Sequence, residues 1–267
     1  MPETTGGAVR YEVTSHVATI TLDRPDAMNS LTAQTRTELK DALHTAASDG
    51  DARAVVLTGT GKAFCVGQDL KEHVASLEEK PIDEVWSVVA TDYSPIATAI
   101  ATMPKPVIAA VNGVAAGAGA SLAFAADFRI LTDTASYNLA FANIALSCDT
   151  GASWTLPRLV GHAKATELLL LPRAVRADEA LAIGLATEVV GIDDFESHVR
   201  ELALKLASGP TLAYASIRRA LAYSATHSFA EALDYEGQKM ALTGASNDHR
   251  AAVNAFLEKQ TPNFDGH

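Results

Sequence analysis

The chain has 267 residues, with 21 Lys and Arg against 32 Asp and Glu, for a formal net charge of −11. At about 150 residues per domain, that length makes one large domain or two modest ones, and the acidic balance excludes a duplex nucleic-acid binder, which needs a basic face over the phosphates. Apolar residues at 48% and charged residues at 20% exclude disorder for the bulk of the chain. The two cysteines, Cys65 and Cys148, are far apart and form no CxxC pattern, so neither a disulfide framework nor a zinc site is expected. Met1 to Gly7 lacks a basic region followed by an apolar run, so no signal peptide is expected. Apolar stretches such as Val107 to Val111 are far shorter than the roughly 20 residues of a membrane span. The expected setting is cytoplasmic.

Arg10 to Val13 and His16 to Leu22 read as strands, and Arg24-Pro25-Asp26 ends the second. Asn29-Ser30-Leu31-Thr32 signals a helix start. Leu39, Ala42, Leu43 and Ala46 then give that helix one apolar face. Ala54 to Leu57 is a short buried strand, and residues 71 to 102 read as mostly helical, cut at Pro81 and Pro95. After the stiff link Met103-Pro104-Lys105-Pro106, Val107 to Val111 is a buried strand. An apolar helix is predicted over Ser121 to Ala126, with strands at Phe128 to Leu131 and Ala135 to Asn138. Trp154 to Leu171 is helical with breaks near Pro157 and Gly161, and a short helix runs from Asp178 to Gly184. Thr187 to Val190 is a strand, and helices follow at 194–207, 211–224, 228–243 and 248–259. Strands and helices alternate to about residue 190, after which only helices occur. The pattern is an α/β core with a helical C-terminal extension.

Several motifs fail on inspection. Gly59-Thr60-Gly61-Lys62 lacks the preceding glycine and the following Ser or Thr of a phosphate-binding loop. Gly113, Gly117 and Gly119 have the wrong spacing for a dinucleotide fingerprint. Neither Ser121 nor Ser153 has the glycine two residues on that a nucleophile elbow needs. The histidines are scattered, and no metal is expected.

Two segments carry chemistry. One is Lys62-Ala63-Phe64-Cys65-Val66-Gly67-Gln68-Asp69-Leu70, a strand-to-helix turn. The other is Asn112 to Ser121, a strand followed by a glycine-rich helix start. Small residues let backbone approach a ligand, and N–H groups at a helix start are free to donate. Facing one another, the two would make an oxyanion hole with two donors. Tight helix–strand packing would use the same small residues.

This pair resembles the crotonase (enoyl-CoA hydratase/isomerase) superfamily. The resemblance extends from Val17–Pro25 through Leu156-Pro157-Arg158-Leu159-Val160-Gly161 and Asp178–Leu185 to the C-terminal helices. It implies a crotonase-type spiral of ββα turns over 1–192 holding the CoA and acyl site. It also implies a helical region over 193–267 that builds the oligomer and covers the site. The implied partner is an acyl-CoA thioester, the implied assembly a homotrimer or homohexamer, and coenzyme A enters only as part of the substrate. By the same likeness, the N–H groups of Val66 and Ala118 would bind the thioester oxygen. The CoA would lie along Ala63, Phe64, Gly67, Gln68, Asp69 and Leu70, with Gly117 and Gly119 close by. Lys62 and Arg24 are candidate phosphate contacts or solvated surface charges.

Hydratases that this sequence resembles use two glutamates, which would fall at Ser121 and Phe141. Neither can do that work, so the two-glutamate mechanism does not carry over. One carboxylate remains in the region, Asp149, among the apolar Ile144, Leu146 and Trp154. By composition it reads as a helix N-cap. By resemblance it reads as a single proton shuttle, as in double-bond isomerases. The stretch Asn112 to Ala120 looks especially like 1,2-epoxyphenylacetyl-CoA isomerase-type members. Dehalogenation, which uses a similarly placed aspartate, also needs a histidine, and residues 85 to 105 have none. Isomerisation of an acyl-CoA is therefore the expected reaction, with Ser121, Leu139, Phe141 and Trp154 shaping the acyl pocket. Hydration through Asp149 and a water is the first alternative, and a catalytically silent acyl-CoA binder the second.

Overall fold

The computed structural model describes residues 7–266, so Met1 to Gly6, expected not to form a signal peptide, lie outside the described residues. The N-terminal half contains β1 (Val9–Thr14), β2 (Val17–Leu22), α1 (Ala33–Ser48), β3 (Ala54–Gly59), β4 (Ala63–Cys65), α2 (Leu70–Glu79), α3 (Ile82–Val88), α4 (Ser94–Thr102), β5 (Val107–Val111), β6 (Val114–Ala116) and α5 (Ala118–Phe124). There follow β7 (Phe128–Thr132), β8 (Ser136–Asn138), α6 (Ala152–Val160), α7 (His162–Leu170), β9 (Ala174–Arg176), α8 (Ala177–Ala182) and β10 (Glu188–Val190). Four helices end the chain: α9 (Phe195–Ala207), α10 (Thr211–Ser224), α11 (Phe229–Gly244) and α12 (Asn247–Glu258).

The strands form a six-stranded sheet, β1-β2-β3-β5-β7-β10, and a four-stranded sheet, β4-β6-β8-β9. Three times in succession a strand in the large sheet is followed by one in the small sheet and then by helix: β3 and β4, β5 and β6, β7 and β8. This is the α/β spiral of ββα turns that the resemblance implies. Strands β3 and β5 are apolar on both faces because helices cover both. On one face lie Leu39, Leu43 and Ala46 of α1, all fully buried. On the other lie Phe195, Val199 and Ala203 of α9, packed on Val56, Ile108 and Ile130. The helix at the head of the C-terminal region thus belongs to the packing of the sheet. Arg53 ties the segment beyond it to the core, donating to the carbonyls of Gly209 at 2.6 Å and Phe264 at 2.8 Å.

Two expected proline breaks are absent. Pro81 does sit at the N-cap of α3, but Pro95 lies inside a helical run, reached through a π-helical turn at Val89–Tyr93. The wider turn accommodates the proline, and the Thr91 carbonyl accepts from Lys40 Nζ at 3.3 Å. Pro157 lies inside α6, where the missing bond would fall on exposed Ser153 near the helix start, so only Gly161 ends that helix. The helix predicted from Ser121 begins earlier, at Ala118. Strand β9 has no counterpart in the sequence reading, because three residues carry too little periodicity.

Candidate active site

Backbone approach decides the site. Strand β4 pairs in parallel with β6, Ala63 opposite Val114 and Cys65 opposite Ala115. A Cβ on Gly113 would stand 2.2 Å from the Lys62 carbonyl oxygen, and one on Gly119 would stand 2.1 Å from that of Cys65. Only glycine permits this contact, so the small residues serve close packing and site construction together. Gly67, at φ +84°, presses on the start of α5: a Cβ there would be 3.2 Å from the Ala118 nitrogen. The two sequence segments therefore do converge.

The amide at Val66 is occupied, contrary to expectation. Its N–H donates to the Met28 carbonyl at 3.3 Å. Next along the chain, Leu31 N–H donates to Gly67 O at 2.8 Å and Asp69 N–H to Leu31 O at 3.2 Å. Strand-like alternation turns the amide between them, that of Gln68, away from Leu31. Among the described residues no acceptor takes the Gln68 N–H, nor that of Ala118 at the first position of α5. Sequence reasoning missed Gln68 as a donor because register against Leu31, not composition, leaves its amide free.

Asp149 does not cap a helix. Helix α6 begins at Ala152 behind Gly151, with no side-chain cap. The Asp149 carboxyl is half-buried, and Oδ1 accepts from the Thr150 hydroxyl at 2.7 Å, while no protein donor engages Oδ2 among the described residues. Burial raises its pKa and outweighs the lowering by the Thr150 hydroxyl. Thr150 holds φ +54°, rare for a β-branched residue, so its surroundings hold this turn against local strain of about 1–3 kcal/mol.

The other expected residues divide. Ser121 is fully buried, and its hydroxyl donates to the Gly117 carbonyl at 3.1 Å. Leu139 and Phe141 are buried and belong to the main hydrophobic core. Trp154 is 46% exposed, its ring covered by the Arg158 guanidinium, so the chain alone does not bury it. Ala63 and Phe64 have buried side chains in β4, Leu70 is exposed, and Gln68 Nε2 contacts His73 Nδ1 at 3.0 Å. Arg24 is not a free cation. It pairs with Asp69 at 3.3 Å, and Ser30 Oγ donates to the same carboxylate at 2.8 Å. Asp69 caps α2 by accepting from the amides of Lys71 and Glu72. Burial would raise its pKa, but Ser30, the Glu72 amide and Arg24 together lower it. Lys62 is exposed and its ammonium makes no ion pair among the described residues. Asn29, read in the sequence only as part of a helix start, is fully buried and staples this corner: Nδ2 donates to Thr60 O at 2.9 Å and Ala63 O at 2.8 Å. A cavity of about 930 Å³ lies elsewhere, between the large sheet and α9, and is lined by neither Gln68, Ala118 nor Asp149.

The sequence profile of the enoyl-CoA hydratase/isomerase family matches residues 12–267. The chain belongs to that family. It is an enoyl-CoA hydratase/isomerase family enzyme acting on acyl-CoA. A Rhodobacter capsulatus protein, described as a probable enoyl-CoA hydratase, is 44% identical over 97% of this chain and 98% of its own. The Escherichia coli 1,2-epoxyphenylacetyl-CoA isomerase is 37% identical over 94% of this chain and 95% of its own, so the expected leaning towards the isomerase is not reflected in identity. The crystal structure of an enoyl-CoA hydratase/isomerase family protein from Mycobacterium abscessus superposes with a TM-score of 0.93 at 41% identity. That match covers 97% of this chain and 100% of the other. No helix among the described residues is long and apolar enough to cross a membrane.

Proposed function

We propose that the enzyme isomerises an acyl-CoA thioester, with Asp149 as the single proton shuttle. The reading rests on one observation: Asp149 is a half-buried carboxylate with one oxygen that no described residue engages, while Ser121 and Phe141 stand where the resemblance places the two hydratase glutamates. The thioester oxygen would accept from the amides of Gln68 and Ala118, which lack acceptors, rather than from Val66. Fixed donors of this kind stabilise an enolate more than a neutral thioester, and each contributes about 3–4 kcal/mol to the transition state. Asp149 removes a proton from one acyl carbon and returns it to another, with no net addition of water. Exposed Lys62 serves a CoA phosphate, while Arg24 orders the turn through Asp69. Hydration is the second reading, favoured by the greater identity to the Rhodobacter capsulatus protein. Assembly as a homotrimer or homohexamer is part of the same proposal.

A panel of enoyl-CoA esters incubated in D2O and followed by mass spectrometry separates the readings. Isomerisation gives deuterium uptake at constant composition, and hydration adds the mass of water. The Asp149→Asn variant should lose exchange by about 10²–10⁴-fold while binding the thioester within a few-fold. Near-wild-type exchange in that variant removes Asp149 from the reaction.

A further inference from the structure

The peptide plane between Gly67 and Gln68 carries the free Gln68 N–H at one end. At its other end the Gly67 carbonyl accepts from Leu31 N–H at 2.8 Å. One hydrogen bond leaves a plane free to tilt about it, and Gly67, at φ +84° and without a side chain, resists that tilt little. A second hold comes from the Gln68 side chain, which makes one hydrogen bond among the described residues. Its Nε2 lies 3.0 Å from His73 Nδ1 and donates to the ring when the imidazole proton is on the other nitrogen. The His73 ring rests against Trp86 of α3, with centroids 5.2 Å apart and planes at 58°.

Place in the helix gives this contact its meaning. Asp69 is the N-cap of α2, so Gln68 precedes the cap and His73 is the fourth residue of the helix. An apolar pair at those two places commonly fixes the angle at which a chain enters a helix. Here the pair is polar and half-buried. No side chain of α2 is buried, so packing contributes little to its orientation and polar contacts set it. Glu72 is one of them: its two carboxylate oxygens accept from Ala33 N–H at 2.9 and 3.0 Å, tying α2 to the start of α1. Glu72 fixes where α2 lies, and the Gln68–His73 contact fixes how the chain turns into it.

We propose that His73 is a positioning residue for the Gln68 amide. By holding the Gln68 side chain it sets the tilt of the peptide plane, and with it the direction of Gln68 N–H. A donor to a developing oxyanion stabilises it most when its direction is fixed before the reaction begins. The role rests on the reading of Gln68 as a donor to the thioester oxygen, and it is independent of which group moves the proton.

The test reads the carbonyl of a bound thioester in the full-length protein. The probe is hexanoyl-CoA labelled with ¹³C at the thioester carbonyl, followed by difference infrared spectroscopy. In parallel, kcat and KM are measured for acyl proton exchange in D2O. His73→Phe keeps a ring against Trp86 and loses the acceptor. His73→Asn keeps an acceptor near the place of Nδ1 and loses the ring. In wild type the carbonyl band should lie below its solution frequency. In His73→Phe and in Gln68→Leu part of that displacement should be lost, and kcat should fall about tenfold to a hundredfold with KM within about twofold. His73→Asn should keep band and kcat near wild type. The double variant should lose no more than either single one, since both changes break the same contact. A purely structural role would lower the melting temperature of His73→Phe and leave band and kcat of the folded enzyme unchanged. A band displaced equally in wild type and every variant therefore overturns the positioning role alone. A wild-type band at its solution frequency overturns the donor reading, and this proposal with it.

Discussion

Asp149 sits where its surroundings disfavour its charge, and this has a sign that thermodynamics makes testable. Its folded pKa is raised above the unfolded value, so the folded protein binds this proton more tightly. The contribution favours folding below the unfolded carboxyl pKa, and it is lost as pH rises from there through the raised folded value. Above that window the ionised group weighs against the fold. Asp149→Asn should therefore melt at a higher temperature than wild type at neutral pH, with the gap narrowing towards acid. Melting curves taken across pH check this, and a variant that melts lower at neutral pH contradicts it. Catalysis has the opposite demand, since the shuttle must begin ionised. Stability and activity therefore pull Asp149 in different directions.

At the scale of elements, the site depends on how closely α5 can approach β4. Gly119→Ala would place a methyl group against the Cys65 carbonyl, whose oxygen is 2.1 Å from the ideal Cβ position. That oxygen belongs to backbone in a sheet, so it cannot swing aside as a flexible side chain would. The expected cost is about 1–3 kcal/mol of stability, read as a lower melting temperature. Turnover should fall further than stability does, because moving α5 moves the Ala118 amide. An alanine variant with wild-type turnover would separate the glycine contact from the donor geometry. Gly117 offers a control: at φ +51° it is strained for any side chain, yet a Cβ there meets nothing within 4 Å.

Across the whole molecule, the C-terminal helices carry apolar side chains that this chain alone does not cover. Phe229 is 78% exposed, Met240 73%, Phe256 82% and Leu257 73%. Apolar side chains so concentrated on α11 and α12 fit the proposed assembly, since closed rotational symmetry is the common way to bury such a face. Light scattering coupled to size exclusion should find three or six copies. Replacing Phe256 and Leu257 together with Glu should reduce that mass. A monomeric wild type would refute the proposed assembly.

Much of the molecule was legible in its residues. The apolar face Leu39, Ala42, Leu43 and Ala46 is the buried face of α1, and the four C-terminal helices begin and end within one residue of their predicted bounds. Local periodicity suffices there, because burial repeats along the element itself. The family resemblance set Ser121 and Phe141 against the two hydratase glutamates and left Asp149 as the remaining acid of that region. Other features were not legible. Val66 loses its amide to Met28, and Arg24 gives its charge to Asp69. Each of these depends on which distant backbone comes within hydrogen-bonding reach. Sequence alone determined the apolar periods, the glycine positions and the carboxylates present. Tertiary structure alone decided which amides stay unpaired and which charges are already matched, since both are settled by neighbours remote along the chain.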